Sequence, residues 1–153
     1  MHLSGVTEIA AARQRVWATI SDPNRAAAGS SEGQAQIEKI DDTHYRVSVS
    51  AKTAMMPMNV VLELELTEVD EPNRIAATIS GTIMGGPING TGSIDLTELE
   101  SKLTRAEYVA DATLGGMLGA FEPMVQGPAQ QAADQAFASL KERLEAEEAA
   151  ASA

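Results

Sequence analysis

The sequence predicts an α+β fold in which a curved antiparallel sheet wraps around one long C-terminal helix. Three observations carry this reading. From Gln34 to Ala112 apolar and polar residues alternate with a period of two, and beyond Gly115-Gly116 the apolar residues recur at helical spacing. The strand-like runs are separated by short turn chemistry rather than by helices, which calls for antiparallel neighbours. At 153 residues the chain is one domain's worth, and a chain of that size buries roughly two thirds of its unfolded surface. A core is therefore possible without staples.

The first element is a strand from Leu3 to Ile9, mostly alternating. Ala11 to Ile20 follows as a helix with Val16, Trp17 and Ile20 on one face, stopped by Ser21-Asp22-Pro23-Asn24. Arg25 to Gly33 reads as a second short helix or loop. In the sheet, Tyr45, Val47, Val49 and Ala51 form one dry row, and Met58, Val60, Leu62, Leu64 and Leu66 form the next. Ile75, Ala77, Ile79, Gly81 and Ile83, then Ile94 and Leu96, continue the pattern. The separators are Asp41-Asp42, Asp70-Glu71-Pro72-Asn73 and Gly85-Gly86-Pro87-Ile88-Asn89-Gly90. Thr104, Ala106, Tyr108, Ala110 and Ala112 give the last strand its inner face. The long helix carries Leu118, Phe121, Val125, Ala129, Ala132, Ala136 and Leu140 as its stripe, flanked by Ala133, Phe137 and Leu144. Pro123 and Gly127-Pro128 predict a kink or break in it. One domain over residues 1–144 results, with 145–153 an acidic, alanine-rich tail that frays.

Charge removes several classes of function. Eleven Lys and Arg against 22 Asp and Glu give a net charge of −11. Such a chain is repelled by phosphate backbones and anionic lipid, so nucleic acid is excluded as a partner. No apolar run approaches the roughly 20 residues of a transmembrane segment, and the opening residues are no signal peptide. The chain lacks cysteine, which removes disulfides and thiolate chemistry and favours a reducing, cytoplasmic setting.

Catalytic and metal chemistry find little support. His2 lies at the start of the chain and His44 sits on wet parity beside Arg46 and Ser48, so the two make no metal pair. The carboxylates fall in turns or in the tail, and serine lacks the G-x-S-x-G elbow. The glycines from Gly81 to Gly92 lie between two strands and match no phosphate-binding pattern. No catalytic residue, metal ligand or cofactor is therefore assigned.

Side-chain size carries more information than reactivity. The helix stripe is alanine in its middle, the facing strand is rich in alanine, Gly81 and Gly92 add no volume, and only 3% of the residues are aromatic. Either the alanines let helix and sheet approach, or a curled sheet leaves an apolar cavity for a hydrophobic molecule. On the second reading Leu62, Leu64, Ile79, Ile94, Tyr108, Phe121, Val125 and Phe137 line the cavity. Met56, Met58, Met84 and Met117 fall near alternate turns at one end of the sheet and form a deformable mouth, unless they fill gaps in the core. Tyr45 and Tyr108, both on inward parity, offer hydroxyls to the guest.

Val16-Trp17, Asp22-Pro23, Thr104-Arg105-Ala106-Glu107-Tyr108 and Ala110-Asp111-Ala112 resemble the family named for the G component of carbon monoxide dehydrogenase. Leu114-Gly115-Gly116-Met117-Leu118 and Asp134-Gln135-Ala136-Phe137-Ala138-Ser139-Leu140 extend the likeness in the same order, over residues 1–144. That family belongs to the SRPBCC, or START-like, superfamily. The resemblance implies a helix-grip (START/Bet v-like) fold of about seven strands, with two short helices after the first. It also implies a pocket for a lipid-like ligand such as a quinone, and association with a molybdenum-containing carbon monoxide dehydrogenase. Two departures stand out: the family's Ile-Pro-Gly is Ser31-Glu32-Gly33 here, and the hydrophobic C-terminal extension of some members is missing. Three functions follow as expectations. One is a non-enzymatic binding protein serving a redox enzyme, one a cyclase- or hydratase-type enzyme using Tyr108, and one a ligand-free interaction module. A homo-oligomer is compatible with each.

Overall fold

A computed structural model describes residues 1–22, 34–52, 57–83 and 86–152. The elements are β1 (His2–Ile9), α1 (Arg13–Ile20), β2 (Gln34–Lys39), β3 (His44–Lys52), β4 (Pro57–Asp70), β5 (Arg74–Ile83), β6 (Gly86–Glu100) and β7 (Leu103–Leu114). A 3-10 turn (Gly116–Phe121) then leads into α2 (Glu122–Ser152). Gly116 has φ +64°, a left-handed turn that glycine adopts without a Cβ clash. The second short helix expected over 25–33 lies outside the described residues.

The seven strands form one curved antiparallel sheet in the order β1-β7-β6-β5-β4-β3-β2. From β2 to β7 each strand pairs with its successor in the chain, as the alternation predicts, and β1 joins beside β7. Register shifts at Leu66/Glu68 and Glu98/Glu100 interrupt the ladders. An extra residue at such a point bends and twists a strand.

The core lies where β1, α1 and the end of α2 meet. Ile9, Ala11, Val16, Trp17, Ile75, Leu96, Ala106 and Leu144 are buried together there, with Ile20, Leu66, Ile94, Phe137 and Leu140 packed against them. The Thr104 hydroxyl donates to the Ala11 carbonyl at 2.8 Å, tying the β1–α1 corner to β7.

Several sequence expectations need correction. The segment read as a turn from Gly85 to Gly90 belongs largely to β6, where Asn89 pairs with Ser80 and Thr113. That turn chemistry is overridden by ladders on both sides, which satisfy the backbone of a central strand. On α2, Ala136 is exposed, while Phe137, Leu140 and Leu144 turn inward. The buried stripe follows its largest apolar side chains, because burying Phe or Leu stabilises more than burying Ala. The helix is continuous through Gly127-Pro128, and its break falls earlier, at the 3-10 turn. The residues read as a tail from Glu145 are helical, as α2 runs on to Ser152.

Polar side chains of α2 explain both the continuity and the length. His2 N donates to Gln126 Oε1 at 3.1 Å, and Gln126 Nε2 donates back to the His2 carbonyl. Gln130 repeats this on Ser4, accepting at 3.3 Å and donating at 3.0 Å. Lys141 Nζ donates to the Glu8 carbonyl at 2.9 Å, and Ala10 N donates to Glu145 Oε2 at 2.8 Å. Four helical residues advance about 6 Å and two strand residues about 6.7 Å, so an i, i+4 row of side chains matches every second residue of a strand. The helix thereby caps the outer edge of β1, which would otherwise present unpaired backbone groups. Gln126 and Gln130 straddle Pro128, so the helix is tied to β1 on either side of the residue that lacks an N–H.

Candidate ligand-binding site

A cavity of about 450 Å³ lies between the concave face of the sheet, the C-terminal end of α1 and Phe137 of α2. Its floor follows from register. Leu66, Ala77, Gly92 and Ala110 lie in one row across four strands, and Ile75, Ile94 and Tyr108 in the next. Small residues in the first row leave the volume, and the branched and aromatic residues of the second close it toward the core. Ile37 and Val47 extend the wall on β2 and β3, and Ile20 and Ser21 supply the wall from α1.

Of the residues expected to line a cavity, Leu64, Ile79, Ile94, Tyr108 and Phe137 border this one. Leu62 is half-buried one row farther toward the β5–β6 connection, opposite Gly81, and does not border it. Phe121 falls in the 3-10 turn and Val125 in α2, and only their backbone is described. The same holds for Met58 on β4 and Met117 in the 3-10 turn, whereas Met56 and Met84 lie outside the described residues.

Tyr108 is built into the wall by its neighbours. Its cross-strand partner is Gly5, and a Cβ at Gly5 would collide with the Tyr108 ring at Cε1. The glycine lets the ring cross β1 and reach α2. There it stacks on Phe137 at 4.3 Å between centroids, tilted by 32°. Its hydroxyl donates to Asp134 Oδ1 at 3.0 Å and accepts from Gln130 Nε2 at 2.9 Å. Burial, then the Asp134 carboxylate, raises the phenol's pKa above its ordinary value. The expected offer of this hydroxyl to a guest is thus corrected: it is occupied by the helix. Tyr45 is buried and does not border this cavity; with its cross-strand partner Leu64 it borders a second hollow.

That hollow holds His44, Asp41, Glu63 and Glu65. The backbone N–H of Thr43 and the His44 ring lower the Asp41 pKa to about 2. Asp41, 2.8 Å from His44 Nδ1, in turn raises the His44 pKa. Among the described residues no group of three or more His, Asp or Glu is arranged to hold a metal.

At the other end of the site, Glu148 accepts from Ala12 N at 3.2 Å and Arg15 Nε at 2.6 Å. It thereby fixes α1, whose last residues wall the cavity. Sequence reasoning missed Gly5, Gln130, Asp134 and Glu148. The i, i+4 spacing of Gln126, Gln130 and Asp134 is a visible signal, but its partner strand lies more than 100 residues away in the chain.

A seven-stranded sheet closed by one long helix is the helix-grip architecture of the SRPBCC superfamily. The sequence profile of the CoxG family, named for the G component of carbon monoxide dehydrogenase, matches residues 5–145, and the chain belongs to that family. No curated protein matches it. Among solved structures it is similar to a conserved protein from Geobacillus kaustophilus, with 21% identity, 94% of this chain and 95% of that one covered, and a TM-score of 0.82. It is also similar to the ZhuI aromatase/cyclase of Streptomyces sp. R1128, at 13% identity, 95% and 93% coverage and a TM-score of 0.75. Protein Ms6760 of Mycobacterium smegmatis is alike at 20% identity, 95% and 91% coverage and a TM-score of 0.71. At these identities the likeness shows the fold alone. Among the described residues no helix is long and apolar enough to cross a membrane.

Proposed function

We propose that the protein binds a hydrophobic, lipid-like small molecule in the cavity under α2, acting in the cytoplasm as an accessory to a redox enzyme. The carrying observation is the cavity itself: about 450 Å³ with an almost wholly apolar lining, within the size range of small-molecule sites. The family's name supports carbon monoxide dehydrogenase as the enzyme served, and a quinone is the guest this reading favours. Leu64, Ile79, Ile94, Tyr108 and Phe137 make the contact surface; Phe121 and Val125, with Met56, Met58, Met84 and Met117 at the mouth, complete it. Native mass spectrometry of freshly purified protein tests the proposal, with a retained apolar ligand expected. A preparation that carries none, and whose melting temperature no quinone raises, would refute it.

A second reading is favoured by one observation, the Tyr108 ring on the cavity wall with Asp134 bonded to its hydroxyl from behind, in a fold shared with an aromatase/cyclase. There Tyr108 would exchange a proton with the guest. Full activity of Tyr108→Phe on any substrate found would remove it.

A further inference from the structure

The cavity wall bears on the charge of its guest, a step that rests on the binding reading above. None of the described residues bordering the cavity is Lys, Arg, His, Asp or Glu. Of its three hydroxyls, two are bonded elsewhere and the third stands on the other parity. Ser21 Oγ donates to the Trp17 carbonyl at 2.6 Å, and the Tyr108 hydroxyl is held by Asp134 and Gln130. Ser93 stands between Gly92 and Ile94 on β6, on the parity of the convex face. An ionised group entering here gives up its water and meets neither a counter-charge nor a free donor among the described residues. An anion is opposed further by the Asp134 carboxylate behind Tyr108 and by the net charge of −11. The volume matches about fifteen waters at roughly 30 Å³ each, the size of a compact ring system.

We infer that the cavity selects an uncharged molecule and rejects the carboxylate, sulfonate or phosphate counterpart of the same skeleton. Two fluorescent probes isolate that difference. N-phenyl-1-naphthylamine and 1-anilinonaphthalene-8-sulfonate share a skeleton, differ by one sulfonate, and brighten in apolar surroundings. In titrations of the full chain at neutral pH, the amine is expected to bind at least about a hundredfold more tightly than the sulfonate. Filling the cavity with Ala77→Phe, or independently with Ala110→Leu, should abolish amine binding while circular dichroism shows the fold retained. Displacement of the amine by decanol but not by decanoate gives the same readout on the unaltered protein. Equal affinity for both probes, with decanoate displacing as well as decanol, overturns charge selection but leaves the binding reading intact. An amine that fails to bind, or that binds regardless of filling, overturns both.

Discussion

Tyr108 separates the binding reading from the catalytic one. Its hydroxyl bonds to α2 rather than into the cavity, so Tyr108→Phe should cost about 1 kcal/mol of stability by denaturant unfolding while leaving ligand affinity unchanged. Its reach depends on Gly5, and Gly5→Ala should displace the ring and lower the melting temperature more than Tyr108→Phe does. On the convex face, Asp41 raises the His44 pKa. A group raised in the folded state stabilises at pH below its unfolded value of about 6.5, and the contribution fades as pH rises through the folded value. Asp41→Asn should therefore move the NMR titration of His44 downward. Residue parity is legible in the sequence: alternation alone puts Leu64, Ile79, Ile94 and Tyr108 on the concave face. Their position along the strand is not, since parity leaves open which row meets the helix. Parity therefore admits Leu62, which lies one row too far, as readily as it admits Leu66, Ala77 and Gly92, which form the floor.

Between elements, the β1–α2 seam is the feature with the most measurable consequences. Gln130→Ala removes both bonds to Ser4 and should destabilise by about 1 kcal/mol, with faster hydrogen exchange at the Ser4 amide. At the far end of α2, Arg15, then the Ala12 N–H, hold the Glu148 carboxyl below its usual range. A lowered carboxylate stabilises at pH above its ordinary value near 4.5, and the contribution is lost as pH falls through the depressed value. Glu148→Gln should thus melt below the unaltered protein at neutral pH, with the gap closing in acid. The strand runs and the long helix are legible because period two and period 3.6 differ so plainly. The helix's end is not, because Glu145 to Glu148 shows no apolar stripe. What extends it is ion pairing and backbone capping by residues met at the start of the chain.

For the molecule as a whole, occupancy of the cavity is the quantity to measure. A guest at a hundred times its dissociation constant adds about 2.7 kcal/mol, which for a domain of this size raises the melting temperature by roughly 5–10 °C. Curvature of the sheet is legible through the family likeness, whereas small residues facing it leave open whether helix and sheet close up or enclose a hollow. The arrangement of α2 along β1, rather than centrally over the sheet, is not legible, because amide-to-backbone bonds leave no hydrophobic trace in sequence. That arrangement has a consequence for biogenesis. β1 receives its covering from a helix more than 100 residues farther along the chain, so a nascent chain carries a bare, pairing-competent border until α2 has been made. Stalled or truncated products lacking α2 should therefore be the species that chaperones capture and that aggregate.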